Sequence, residues 1–175
     1  MLNSFESLFL PETPGLWHLI HTRSRQEKAL AESLDARGIR YFLPLIAHSR
    51  TYGGRKARVE LPMFPGYLFL KGSLEDAYEA DRSDRVAQII RVQDQVKLAW
   101  ELQNLARALV EKVPLDPFPF LKKGVKVEVR AGPLKGLQGI VELRGKRDRL
   151  ILQVDVLGQA TSLEIDAELL QLIEK

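Results

Sequence analysis

Three histidines, His18, His21 and His48, are the side chains of this sequence best suited to acid–base or metal chemistry near neutral pH. His18 and His21 stand three positions apart in Trp17-His-Leu-Ile-His21, a run that reads as a strand, so their rings point to opposite faces. No cysteine is present to complete a ligand set, and no metal site is expected. A serine nucleophile would need a Gly-x-Ser-x-Gly elbow, which is absent. The stretch Gly132 to Gly139 has glycines spaced somewhat like a phosphate loop. It lacks the closing Gly-Lys-Ser/Thr and runs into a strand, so no helix N-terminus would face a phosphate. The chain therefore reads as a non-enzyme, without catalytic residues and without a cofactor.

What remains suits binding. In Phe64-Pro-Gly-Tyr-Leu-Phe69, Pro65-Gly66 forces a turn, and Tyr67 and Phe69 share one face of the strand that follows. Two aromatics on one face serve either a core or a docking surface, and the core is the commoner use. Charge is also segregated. From Arg23 to Arg58 nine Lys/Arg face three acids, whereas from Glu60 to Asp84 six acids face Lys71 and Arg82. A basic side next to an acidic one suits an anionic partner on one side only, although a solvated mixed surface has the same composition.

The elements that would position these residues follow from periodicity. Ser24 and Glu27 have the spacing of a capping box, Leu30 and Leu34 lie one helical turn apart, and Gly38 is a helix stop. Ile39 to Leu43 reads as a second strand closed by Pro44. Tyr52-Gly-Gly-Arg-Lys56 is a hairpin tip, with Val59 to Leu61 returning. Tyr67 to Leu70 is apolar enough for a central strand. A short helix over Glu75 to Asp81, a strand over Val86 to Val92 and a helix capped by Asp94 follow. Leu98, Leu102, Leu105 and Leu109 mark that last helix, and Pro114 ends it. This half is an α+β domain, an antiparallel sheet flanked by helices.

Pro114 to Pro119 holds three prolines in six positions and marks a linker. Beyond it Val125, Val127 and Val129 alternate with charged residues. Ile140 to Leu143, Leu150 to Val156 and Leu163 to Ile165 are further short strands, an all-β pattern for a small barrel. The expected organisation is a loose N-terminal tail over 1–15, a first domain over 16–113, a linker over 114–120 and a second domain over 121–175. The apolar run at the start is short and has no basic flank, so it does not read as a signal peptide. With no cysteine and no span of ~18 apolar residues, the expectation is a cytoplasmic chain that does not enter a membrane.

The order of Trp17 strand, helix, basic hairpin, Phe-Pro-Gly-Tyr strand and terminal helix resembles the N-terminal domain of the NusG family. Gly124 to about Arg149 resembles a KOW motif in an SH3-like barrel. Both occur in family order, and the resemblance covers about residues 16 to 173. It implies a monomeric transcription elongation and antitermination factor whose first domain lays an apolar depression on the clamp helices of bacterial RNA polymerase. That depression would involve Phe64, Tyr67 and Phe69, with His21 where relatives often carry an aromatic residue. Arg23, Arg25, Arg50, Arg55, Lys56 and Arg58 would lie near upstream or non-template DNA, where phosphate contacts hold register without reading sequence. Val156, Leu157, Gly158 and Gln159 match the loop that holds a ribosomal protein or Rho in relatives. Leu157 replaces the usual aromatic residue there and Gln159 the usual arginine. These departures favour a specialised, operon-specific paralogue of the RfaH type over the housekeeping factor. A ribosome-associated KOW protein is the alternative, but it would lack the Phe-Pro-Gly-Tyr domain.

Overall fold

The computed structural model describes residues 3–118, 124–141 and 147–173. The chain forms two compact units, Met1–Gln95 and Val96–Lys175.

The first unit is built on a four-stranded antiparallel sheet formed by β1 (Leu16–Thr22), β2 (Arg40–Phe42), β5 (Tyr67–Gly72) and β6 (Val86–Arg91), in the order β2-β5-β1-β6. Strand alternation gives the sheet two apolar faces. Ile20, Leu68 and Leu70 occupy one face. They cluster with Leu30, Ala31 and Leu34 of α2 (Glu27–Ala36), with Ala80 of α3 (Leu74–Asp81), and with Ile39 and Leu43. Leu30 and Leu34 are fully buried, and each such side chain contributes ~1.5–3 kcal/mol relative to exposure. Helix α3 starts in a complete capping box, Ser73 with Asp76.

Trp17, Leu19, Phe42 and Phe69 line the opposite face. Here the expected N-terminal tail is corrected: Asn3–Leu8 is a helix, α1. Phe5 meets Phe42 edge-on at 5.0 Å between ring centroids, and Phe9 lies 5.7 Å from Trp17. Leu8 is buried, and its carbonyl accepts the Lys71 ammonium at 3.0 Å. Spacing of three and four puts these apolar residues on one helical face, so a run too short for export still covers a core. Lys71 also lies over the Trp17 ring, 5.3 Å from its centroid. Burial, and then the neighbouring Arg40, push its pKa down.

Strands β3 (Leu45–Tyr52) and β4 (Arg55–Pro62) form a separate two-stranded ribbon, the expected basic hairpin. The proposed capping box at Ser24 is not formed. The N-cap of α2 is Gln26, with no side-chain capping bond, and Glu27 bonds elsewhere.

In the second unit, α4 (Gln95–Val110, with Gln95 counted in the first unit) accompanies a six-stranded antiparallel sheet. The strands are β7 (Asp116–Phe118), β8 (Val125–Val129), β9 (Gln138–Val141), β10 (Arg147–Val154), β11 (Gln159–Asp166) and β12 (Leu170–Leu172). Their order is β12-β8-β9-β10-β11-β7. At Gly139 β9 packs closely on β10: a Cβ there would lie 2.8 Å from the Ile151 carbonyl oxygen.

Two boundaries move. Residues 114–120 are not a free linker over their described part. Leu115 is buried, and Asp116–Phe118 pair with Ala160–Ser162 of β11. Proline suits such an edge strand, because the missing donor falls on the unpaired side. Residues 119 and 120 lie outside the described residues, as do 142 and 143 of the strand expected over Ile140 to Leu143. The boundary at 113 also shifts, since α4 groups with the sheet that follows it. A polar stripe on α4 explains this. Trp100 Nε1 donates to Gln138 Oε1 at 2.8 Å, Asn104 Oδ1 accepts the Gln138 N–H at 3.0 Å, and Arg107 donates to the Lys135 carbonyl.

Candidate functional site

The Phe64-Pro-Gly-Tyr67 segment closes a turn in which the Tyr67 N–H donates to the Phe64 carbonyl at 3.1 Å. Pro65 stands second and Gly66, at φ +85°, third, the arrangement that a type II turn requires. Tyr67 opens β5 opposite His21 of β1, and the two rings stack with centroids 5.0 Å apart and planes 20° apart. Both side chains are half-buried, so each presents a ring face or edge to solvent.

Two of the expected docking residues sit below this surface. Phe64 is 2% exposed and Phe69 is fully buried, and their rings meet edge-on at 6.4 Å. Phe69 continues the aromatic core through Phe42, also at 6.4 Å. Of the residues expected to form the depression, His21 and Tyr67 remain as a half-buried surface pair, and Phe64 and Phe69 belong to the buried aromatic core. Position along the strand explains the division: Tyr67 and Phe69 share a face, but Phe69 lies mid-sheet and Tyr67 at the strand's start.

Sequence reasoning missed the residue that ties this turn down. Glu27, 7% exposed, accepts the Gly66 N–H on Oε1 at 2.6 Å. From the other side, the Thr22 N–H donates to the Gly66 carbonyl at 2.8 Å.

The six cations are all exposed but are not one cluster. Arg23 pairs with Asp84 at 2.9 Å, an exposed ion pair of little energetic weight. Arg25 sits beside it in the chain at φ +60°. On the ribbon, the register Ser49↔Arg58 and Thr51↔Lys56 puts Arg58 and Lys56 on one face. Arg50↔Ala57 and Tyr52↔Arg55 put Arg50 and Arg55 on the other. Among the described residues, none of these four ribbon cations forms an ion pair. The ribbon is therefore positive on both sides.

In the second unit, Val156 and Leu157 belong to a short 3-10 turn, Asp155–Leu157, and not to the strand expected to run to Val156. Gly158 closes the turn in the left-handed region, and Gln159 begins β11. Val156 is 40% exposed, and Leu157 and Gln159 are half-buried. The turn's base is held by α4. Buried Glu101 accepts the Asp155 N–H at 3.2 Å, and Lys97 forms an ion pair with the Asp155 carboxylate.

Residues 15–110, more than half of the chain, match the family model described as "Transcription termination factor nusG". The chain belongs to the NusG family. It is 26% identical to the transcription termination/antitermination protein NusG of Thermus thermophilus, over 86% of this chain and 94% of that protein. It is 24% identical to the protein of the same name from Deinococcus radiodurans, over 86% of this chain and 95% of the other. A solved structure described as "Domain interaction in Thermotoga maritima NusG" is 19% identical. It covers 92% of this chain and 98% of its own, with a TM-score of 0.45.

The family match spans the sheet, the Phe-Pro-Gly-Tyr turn and the ribbon, and it ends where α4 ends. It therefore contains His21, Tyr67 and all six exposed cations, but not the Asp155–Leu157 turn. No helix among the described residues is long and apolar enough to cross a membrane.

Proposed function

We propose that this chain is a transcription termination/antitermination factor, not an enzyme, that docks on bacterial RNA polymerase through the His21–Tyr67 surface. The observation that carries the reading is the stacked, half-buried ring pair inside the segment that matches the family. A tyrosine presented on a rigid sheet offers contact area with little side-chain entropy to lose, which suits an interface anchor. We assign the polymerase's clamp helices as the surface it meets.

In the same reading, the ribbon cations Arg50, Arg55, Lys56 and Arg58, with Arg23 and Arg25, approach upstream or non-template DNA. Contacts of that kind add salt-dependent affinity without sequence preference. The turn at Val156 to Gln159, in a KOW-type second domain, recruits a further partner such as a ribosomal protein or Rho. Equilibrium binding of the full chain to core RNA polymerase tests the docking. A saturating isolated clamp-helix fragment should compete the chain off. Binding that the fragment leaves unchanged would move the contact elsewhere on the enzyme.

A further inference from the structure

We propose that Glu27 is a positioning residue of the docking surface, its carboxylate setting the turn that presents Tyr67. The proposal rests on the docking reading above. Its basis is a buried acid whose bonding has no role in the helix that carries it.

Glu27 opens α2 and is 7% exposed, yet it caps nothing in its own helix. A carboxylate held out of water is costly unless strong donors satisfy it. Glu27 stands in the first turn of a ten-residue helix, and the Gly66 N–H at 2.6 Å supplies a short bond to its carboxylate. The Gly66 carbonyl is held in turn by the Thr22 N–H at 2.8 Å, at the end of β1. Both polar groups of one residue are thereby fixed, one from α2 and one from β1. That residue is the glycine at φ +85° on which the turn depends.

The consequence reaches the ring pair. A Cβ on Gly66 would lie 3.7 Å from His21 Cδ2 and 3.8 Å from its Nε2, so the imidazole lies against Gly66 on one side while it stacks on Tyr67. If the Glu27 bond is lost, the Gly66 N–H is released while Thr22 still holds the carbonyl, so the Pro65–Gly66 peptide can tilt and the surface beside His21 and Tyr67 changes. A residue that only stabilised the fold would lower the melting temperature without changing what Tyr67 contributes to binding.

The test is a double-mutant cycle on binding to core RNA polymerase, using full-length wild type, Glu27→Ala, Tyr67→Ala and the double variant. Amide NMR of each free protein accompanies it. Glu27→Ala should weaken binding about tenfold at a temperature where it is folded, the scale of losing one charge-assisted bond. The double variant should bind no more weakly than Tyr67→Ala alone. Glu27→Gln keeps an acceptor oxygen and should recover most of the affinity. The Gly66 amide proton should move upfield in both Glu27 variants, further in Ala.

Wild-type affinity for Glu27→Ala, or additive losses in the double variant, would overturn the proposal. Should Glu27→Ala fail to fold, an unmoved Gly66 proton in Glu27→Gln overturns it instead. Wild-type affinity for folded Tyr67→Ala, with the Gly66 proton still responding to Glu27, would remove the docking reading and leave the turn's anchor standing.

Discussion

Gln138 joins α4 to the second sheet, and removing its side chain has consequences that can be worked through. Its Oε1 accepts from Trp100 Nε1 at 2.8 Å, and its Nε2 donates to Glu128 Oε1 at 3.1 Å. Glu128 also accepts from Gln171 at 2.9 Å. Gln138→Ala breaks the first two bonds and leaves the backbone bond to Asn104 in place. Each lost bond has a net value of ~0.5–1.5 kcal/mol, and Glu128 is exposed enough for water to replace its partner. The expected loss is therefore ~1–2 kcal/mol, largely from the part-buried indole. With a urea m-value of ~1–2 kcal/mol/M, the unfolding midpoint should fall by about 1 M.

Glu128 supplies a second readout. The bond from Gln138, then that from Gln171, holds its carboxyl below the usual range. A depressed acid contributes stability above its unfolded pKa and loses it as pH falls through the folded value. In Gln138→Ala the folded value moves back up, so this contribution shrinks and its loss begins at higher pH. Urea melts across the acid range, with the Trp100 indole N–H resonance followed by NMR, measure both effects. An unchanged midpoint together with an unmoved Trp100 resonance would refute the assignment of α4 to the second unit through Gln138.

Two further outcomes follow from the structure. Tyr41, desolvated by burial and bonded to Asp35 at 2.8 Å, has its pKa pushed up to about 12 by that burial, the bond, and the charges of Asp35 and Glu32. Ultraviolet titration should show a late phenol step that Tyr41→Phe removes; the associated stability is complete below the phenol's unfolded pKa and disappears as pH rises through about 12. Replacing Arg55, Lys56 and Arg58 with alanine should weaken binding to a nucleic-acid-containing elongation complex, most at low salt, and leave core polymerase binding unchanged; an equal loss in both would mark a protein contact.

Most of the fold was legible because its elements carry strong local signals. The β1, β5 and α2 runs, the glycine hairpin tip and the alternating valines of β8 each announce themselves within a few residues. What was not legible depended on distant partners. Glu27 matched a local capping pattern with Ser24, but its actual partner lies 39 positions away. The leucines of α4 could be read by period, whereas the bonds of Trp100, Asn104 and Arg107 on the same helix depend on Gln138 and Lys135, 28 to 38 positions away. The prolines of 114–119 concealed an edge strand, since composition says stiff and extended but not paired. At the candidate site the sequence pointed to the Phe64–Tyr67 turn and to His21 and Tyr67, whose rings the structure stacks. Periodicity could not tell that Phe69 lies under the surface while Tyr67 reaches it.

Tyr67 is the side chain on which docking most directly depends. Its ring is half-buried against His21, so truncation removes that stack, ~0.5–1.5 kcal/mol, and leaves the buried Phe64–Phe69 contact in place. The variant should therefore fold. Titration of core RNA polymerase with folded Tyr67→Ala should show affinity reduced by ~1–3 kcal/mol, about five- to 150-fold. Affinity equal to wild type would contradict docking through this surface.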